Sequence, residues 1–373
     1  MRRNLELSIK NDLDSKIVLL SGPRQVGKTT LSKTLYPKSF DYLNIDNSQH
    51  RLNVQQYIWK KEVDLVIFDE LHKLKNWKRL VKGIYDTEGV RPRLLVTGSA
   101  RMDTFRKGGD SLAGRFHAYR LHPFSVAELK NQMPADEIFD RILRHGGFPE
   151  PFLADNATAA DRWRRAHIDR ILREDLLDLT AVRDLKGIET LVELLRLSVG
   201  SCISYESLSR DLQVSPHTVK HWIGVLESLY IIFLVTPYSK NIARGLLKQP
   251  KIYFYDTGFI SDEKSARFEN AVACALLKHL HFLEDTLGKK MGLHYLRDRN
   301  KKEVDFLTLN GGKPELLIET KLSGQDVSQL QYFSKNFSSA TKKILLVQEA
   351  KEETDIGRIK LRKASRWLKS LEK

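Results

Sequence analysis

Three short apolar runs, each ending in small or acidic residues, dominate the first third of the chain. The runs 16–21 (Lys-Ile-Val-Leu-Leu-Ser), 64–70 (Asp-Leu-Val-Ile-Phe-Asp-Glu) and 93–99 (Arg-Leu-Leu-Val-Thr-Gly-Ser) carry no polar face. That is the pattern of strands in a parallel sheet covered on both sides. A helix is predicted from Thr29 to Leu35 and a further strand over 42–45. After His122-Pro-Phe124 the period turns helical, over 126–132, 135–144 and 160–179. In the last of these Ile168, Ile171, Leu172 and Leu176 recur at helical spacing, as in a packed lid or connector, with Gly146-Gly-Phe-Pro149 as its hinge.

From Leu191 the pattern reads helix, a second helix over 204–212, and a third over 215–229 that Ser215 caps and Pro216 opens. A β pair at 231–235 and 251–255 would complete a winged helix-turn-helix. Its outward residues Thr218, Lys220 and His221 are then placed to meet DNA, although the same fold also serves as a protein-packing module. The final third reads as strand at His294–Arg297 and 303–309, turn at 310–314, strand at 315–322, and a helix starting near Gln329 or Gln331.

Composition narrows the classes. A chain of 373 residues with 41% hydrophobic and 29% charged positions is a folded protein of two or three domains rather than a disordered one. The net charge of +15 favours a polyanionic partner, nucleic acid or an anionic membrane surface, over a neutral one, although a solvated basic surface gives the same balance. Cys202 and Cys274 lie far apart, which argues against a disulfide framework or a thiolate metal cluster and fits a reducing cytoplasm. No run approaches the ~20 apolar residues that span a bilayer, so no membrane role is expected.

The chemistry of the first third rests on Gly22-Pro23-Arg24-Gln25-Val26-Gly27-Lys28-Thr29, a complete G-x-x-x-x-G-K-[ST] string between a strand and a helix. Backbone N–H groups of such a loop wrap phosphate at a helix N-terminus. Lys28 is expected to neutralise the terminal phosphates of ATP and Thr29 to ligate Mg²⁺. Asp69, at a strand tip, would hold the Mg²⁺ shell and Glu70 would orient the attacking water. Ser99, favoured over Thr97, would reach the γ-phosphate or that water. Arg115, after Gly114, would stabilise transition-state charge on its own or a neighbouring subunit, the second case requiring a homo-oligomer.

These residues resemble a known group. Gly-Pro-Arg-Gln-Val-Gly-Lys-Thr-Thr (22–30, ending at Thr30), Phe-Asp-Glu-Leu-His-Lys (68–73), Thr-Gly-Ser (97–99), Leu-Ala-Gly-Arg (112–115) and Gly-Gly-Phe-Pro-Glu (146–150) look like the prokaryotic AAA-type ATPases that carry a C-terminal domain of unknown function. Asp46 matches an acidic position of that group. The resemblance implies an ATP-dependent machine.

In the last third, an odd-length turn centred on Gly312 would set Asp305 opposite Glu319, with their Cβ atoms ~5 Å apart and Lys321 two residues along the same face. Facing carboxylates repel unless a positive charge lies between them, and either a divalent metal or a lysine could supply it. Asp305, Glu319-x-Lys321 and the upstream Glu269 together resemble the D…(D/E)-x-K core of restriction-endonuclease-like nucleases. The resemblance implies that the acids hold Mg²⁺ or Mn²⁺ while Lys321 assists the attacking water. The expected fold is thus an α/β P-loop NTPase core (1–125) with a helical lid (126–185), a winged helix-turn-helix (186–260) and an α/β restriction-endonuclease-like domain (261–373). Nucleic acid, with DNA favoured, is the expected partner.

Overall fold

Strands without a polar side must be covered on both faces, and five short strands meet that need by forming one parallel sheet. They are β1 (Ile17–Ser21), β2 (Phe40–Asn44), β3 (Leu65–Asp69), β4 (Arg93–Gly98) and β5 (Phe116–Arg120), in the order β2-β3-β4-β1-β5 with every neighbouring pair parallel. The computed structural model describes residues 2–98, 112, 114–176, 184–239, 249–260 and 263–371. The chain divides into two compact units, Met1–His122 with Ser228–Tyr230, and Pro123–Glu227 with Ile231–Lys373. The parallel sheet belongs to the first.

Helices Lys28–Leu35, Ser48–Gln55 and Trp77–Glu88 follow β1, β2 and β3. The last shows why it folds where it does: Trp77, Val81 and Ile84 line one face and join Val66, Phe68 and Leu94 in the core. β2 starts at Phe40, two residues before the predicted strand, because it is an edge strand with mostly half-buried side chains and a weak apolar signal. Since all five strands run the same way, Ser21, Asn44, Asp69, Gly98 and Arg120 end on one edge, the edge where a ligand binds in such sheets.

The second unit opens with helices Val126–Leu129, Ala135–His145, Pro149–Ala154 and Ala157–Arg170, the last continued by a π-helical turn, Ile171–Asp175. At residues 146–149, expected as a hinge, Phe124 N–H donates to the Gly147 carbonyl at 2.6 Å, and Arg164 reaches the carbonyl of the preceding His145 at 3.2 Å. Helices Leu185–Arg196, Tyr205–Asp211 and Pro216–Ser228 come next. Ser204 caps the second through Ser207 N–H, and Ser215 caps the third through Thr218 N–H at 3.1 Å.

An eight-stranded mixed sheet follows, ordered β12-β13-β11-β10-β9-β8-β6-β7. Its strands are β6 (Ile232–Pro237), β7 (Lys251–Phe254), β8 (Met291–Arg297), β9 (Glu303–Asn310), β10 (Lys313–Lys321), β11 (Lys342–Val347), β12 (Thr354–Ile356) and β13 (Ile359–Lys363). β6 pairs with β7 antiparallel and with β8 parallel, at Thr236–His294 and Pro237–Tyr295. The two strands assigned from sequence to the 186–260 segment therefore share a sheet with those of 261–373. Long helix Lys264–Leu287 and short helices Ser328–Ser334 and Ala364–Lys369 complete the unit. Among the described residues no helix is long and apolar enough to cross a membrane.

One buried ion pair ties distant segments of this unit together. Lys278 donates to Glu128 Oε2 at 2.6 Å and to the Pro123 carbonyl at 3.0 Å, and both side chains are buried. Lys278→Met would take the ammonium away from the buried Glu128 carboxylate, and we expect it to lower stability by about 3–5 kcal/mol. The measurement is the urea midpoint of the unfolding step assigned to this unit, and adding Glu128→Gln should recover part of the loss.

Candidate nucleotide site and carboxylate cluster

Between β1 and helix Lys28–Leu35 the chain makes a tight loop. Gly22 has φ +149°, and a side chain there would collide with the main-chain carbonyl of Leu121. Only glycine lets the loop pass so close to the segment after β5. Gln25 and Gly27 also take positive φ, at 62° and 98°. Lys28, the first helical residue, is buried, and its ammonium rests on the carbonyls of Gly22 (2.9 Å) and Pro23 (2.8 Å). The lysine thus lies across the mouth of its own loop. Pro23, Arg24, Val26 and Thr30 complete the segment proposed from sequence to hold nucleotide.

Thr29 reaches across to β3, where its hydroxyl donates to Asp69 Oδ2 at 3.0 Å. Asp69 is buried and receives two further hydroxyls, Tyr42 at 2.5 Å on Oδ2 and Thr97 on Oδ1. Burial and then the Asp69 hydrogen bond push the Tyr42 phenol up to about 12, so it remains a neutral donor at physiological pH. Thr97 was set behind Ser99 as the residue to meet phosphate or water, but its hydroxyl is spent on Asp69, and Ser99 lies outside the described residues. Glu70, just past the strand tip, has φ 58° and lies 3.5 Å from His72 Nδ1. A left-handed non-glycine residue costs energy and turns the carboxylate off the strand direction. Asp46 is bound by Lys73 at 2.7 Å.

Arg115 requires correction. β5 runs alongside β1 from Phe116 opposite Ile17 to Arg120 opposite Ser21, which places Arg115 at the amino edge of the sheet. The loop is at the carboxyl edge, a strand length or ~16 Å away at ~3.3 Å per residue. The Arg115 guanidinium binds Asp86 there, Nε to Oδ1 at 2.7 Å. That guanidinium therefore lies away from the loop of its own chain.

Three residues near this site escaped the sequence reading. Tyr42 becomes relevant only through the β2–β3 register, with Tyr42 opposite Ile67 and Asn44 opposite Asp69. Arg3 is buried and donates to the carbonyls of Val26 and His122, fixing the loop against the segment after β5. No local pattern signals it. His72 lay inside a quoted motif but was given no task.

In the second unit, the β9–β10 hairpin differs from expectation in its turn. Lys313 pairs with Asn310, so the loop is the two residues Gly311-Gly312, at φ 59° and 80°, which only glycine adopts readily twice in succession. A bulge between Pro314 and Leu316 then adds the missing residue, and from Leu316–Thr308 to Ile318–Phe306 the register leads to Glu319 opposite Asp305. The facing pair arises from an even turn plus a bulge rather than an odd turn.

The side chains diverge from there. Asp305 Oδ2 accepts from the Thr320 amide (2.8 Å) and hydroxyl (2.7 Å). Glu319 meets Lys321 at 3.4 Å, while Lys321 turns to Asp326, 2.7 Å from its carbonyl and 3.0 Å from Oδ2. Glu269 on the long helix accepts from Tyr253 at 2.6 Å. At the centre stands Lys251, 1% exposed, with Nζ 3.0 Å from Glu269, 2.5 Å from Glu303 and 3.6 Å from Asp305. Burial works against the Lys251 charge, but these acids together hold it above the ordinary lysine range. Burial and then the Asp305 charge raise Glu269 to about 7. Burial is also the chief cause raising Glu319 to about 7. Among the described residues no group of three or more His, Cys, Asp or Glu is disposed to hold a metal ion. The one sequence signal for Lys251 was a charged residue opening an otherwise apolar strand.

On the third helix of the Leu185–Ser228 series, Lys220 and His221 are exposed, whereas the half-buried Thr218 has its hydroxyl 2.9 Å from Ser215 Oγ at the cap.

Comparison with known proteins follows this division. Residues 14–130 match the family model described as AAA domain, 136–265 match a domain of unknown function (DUF8612) and 264–364 another (DUF4143). The chain is 27% identical over 310 residues to the uncharacterized protein Rv2008c of Mycobacterium tuberculosis, covering 80% of this chain and 68% of that one. It is 23% identical over 349 residues to the uncharacterized protein MJ1544 of Methanocaldococcus jannaschii, covering 84% and 76%. Among solved structures, a Pif1 helicase from Bacteroides matches with TM-score 0.24 and 15% identity over 39% of this chain and 46% of that chain. A Thermotoga maritima DNA polymerase III gamma subunit-related protein matches with TM-score 0.29 and 8% identity over 61% and 97%. Likeness at that level decides neither fold nor role. The parallel sheet and the loop after β1 lie within the residues that match the AAA domain model.

Gly22→Ala tests the loop geometry. The added methyl group would have to displace the Leu121 carbonyl, and we expect nucleotide affinity to fall at least ~10-fold, or ~1.4 kcal/mol, with little change in far-UV circular dichroism. Fluorescent-nucleotide titration measures it.

Proposed function

We propose that the chain binds ATP with Mg²⁺ and hydrolyses it, using the energy to act on or near nucleic acid. The observation that carries the reading is the convergence of Lys28, Thr29 and Asp69 at one edge of a parallel sheet, with Thr29 and Asp69 already 3.0 Å apart. A hydroxyl and a carboxylate side by side are oxygen donors suited to Mg²⁺, which tolerates few protein ligands and keeps several waters. When bound, the ion would supply positive charge that lowers the cost of the negative charge developing on the phosphates.

In this reading, the main-chain amides of the Gly22–Thr29 loop and the helix start grip the phosphates, and the Lys28 ammonium shifts from carbonyl oxygens onto the γ-phosphate. Tyr42 and Thr97 hold Asp69 in place. Glu70 accepts a hydrogen bond from the attacking water and orients it in line with the bond to the leaving phosphate. Arg115 enters only through a neighbouring copy, which would make a homo-oligomer the hydrolysing species.

The nucleic-acid partner is supported by the +15 charge and by Lys220 and His221 exposed on a capped helix. The free thiols Cys202 and Cys274 support a reducing, cytoplasmic setting. A second reading, a nucleotide-switched binding or protein-remodelling ATPase whose C-terminal domain does not cut, is favoured by one observation, the position of Lys251 among the acids.

Lys28→Ala is expected to abolish nucleotide binding in calorimetry. Glu70→Gln should retain binding while phosphate release falls ~10²-fold or more; turnover at the wild-type rate would remove Glu70 from the mechanism. Duplex or single-stranded DNA should raise ATP turnover at low salt, and binding should weaken steeply as salt increases. Absence of any stimulation would leave the protein-remodelling reading in its place.

A further inference from the structure

The nuclease resemblance expects a divalent ion among Glu269, Asp305 and Glu319, and the folded cluster does not fit one. The space between Glu269 and Asp305 is taken by the ammonium of Lys251, within 3.6 Å of both carboxylates and 2.5 Å from Glu303. An ion sharing the same oxygens would stand against a buried positive charge. The other oxygen of Asp305 is engaged by Thr320, and Tyr253 also occupies Glu269. Arg297 adds a second cation 3.5 Å from Glu303. One feature favours an ion: Glu319 Oε2 is buried without a hydrogen-bond partner. It is a single oxygen, however, and Lys321, two residues on, lies 3.4 Å from the other Glu319 oxygen while it donates to Asp326.

We propose that Lys251 is a built-in counter-ion that takes the place of the divalent metal in this cluster, so that the β9–β10 hairpin is a metal-independent structural or binding element and cuts no phosphodiester bond. The ammonium places one positive charge among three carboxylates, in the oxygen-rich surroundings a divalent metal would seek. It offers neither an open coordination position nor a Lewis acid, the features that metal-assisted hydrolysis needs. Lys251 sits on β7, outside the 261–373 segment in which the nuclease pattern was read, so the displacing group comes from a strand the pattern does not include.

The inference is independent of ATP hydrolysis, and its test uses the nucleotide-free full chain. Mn²⁺ uptake is followed by electron paramagnetic resonance and by thermal melting for wild type, Asp305→Asn and Lys251→Met. We expect identical Mn²⁺ isotherms for wild type and Asp305→Asn, and a new Mn²⁺ site in Lys251→Met, whose melting temperature rises with Mn²⁺ and falls back with EDTA. Mn²⁺ uptake by wild type that Asp305→Asn removes would overturn the proposal, as would a folded Lys251→Met that gains no site. If Lys251→Met does not fold, the wild-type and Asp305→Asn pair decides alone, equal isotherms supporting the proposal and unequal ones refuting it.

Discussion

The first unit is organised around the buried carboxylate of Asp69. A charge in that position is tolerated only when hydrogen-bonded, and three hydroxyls from three separate elements meet it: Thr29 from the helix after the loop, Tyr42 from β2 and Thr97 from β4. Each of those elements is therefore held at a fixed distance from the tip of β3. Because the strands are parallel, satisfying Asp69 also brings the phosphate loop and the acidic strand tip to the same edge. The arrangement of the loop against the strand tip and the hydrogen bonding of the buried acid are thus one requirement.

Two buried lysines show how surroundings assign a role. Lys28 rests on main-chain carbonyls in a loop that glycine keeps open, where a more strongly charged acceptor can take their place. Lys251 rests among three carboxylates and is committed by charge as well as by hydrogen bonds. The same side chain, buried to a similar degree, is held by neutral carbonyls in the first setting and by carboxylates in the second.

The hairpin of β9 and β10 shows how a correct pairing can rest on an incorrect turn. Facing of Asp305 and Glu319 was legible because period-2 alternation put both on one face. The route was not, since Gly311-Gly312 closes a two-residue turn and the bulge after Pro314 restores the register. A bulge depends on how the strand must bend over its neighbours, and no local residue pattern in this segment announces that.

The sequence by itself determined the elements whose signal is local: the apolar runs of β1, β3 and β4, the glycine-lysine-threonine loop between strand and helix, the serine cap of helix Pro216–Ser228, and the pair of acids at the end of β3. Each follows from periodicity or from backbone chemistry within a few residues. Tertiary structure alone decided which side chains meet across the chain. Tyr42 reaches Asp69 over 27 positions, Arg3 reaches the His122 carbonyl over 119, and Lys251 gathers acids from a helix and from β9. It also separated Arg115 from the loop, since strand direction fixes which end of β5 faces the nucleotide edge. The physical reason is the same throughout: strand order and register are set by burial of whole elements against one another, and that packing carries polar side chains into contacts their own neighbours in sequence do not encode.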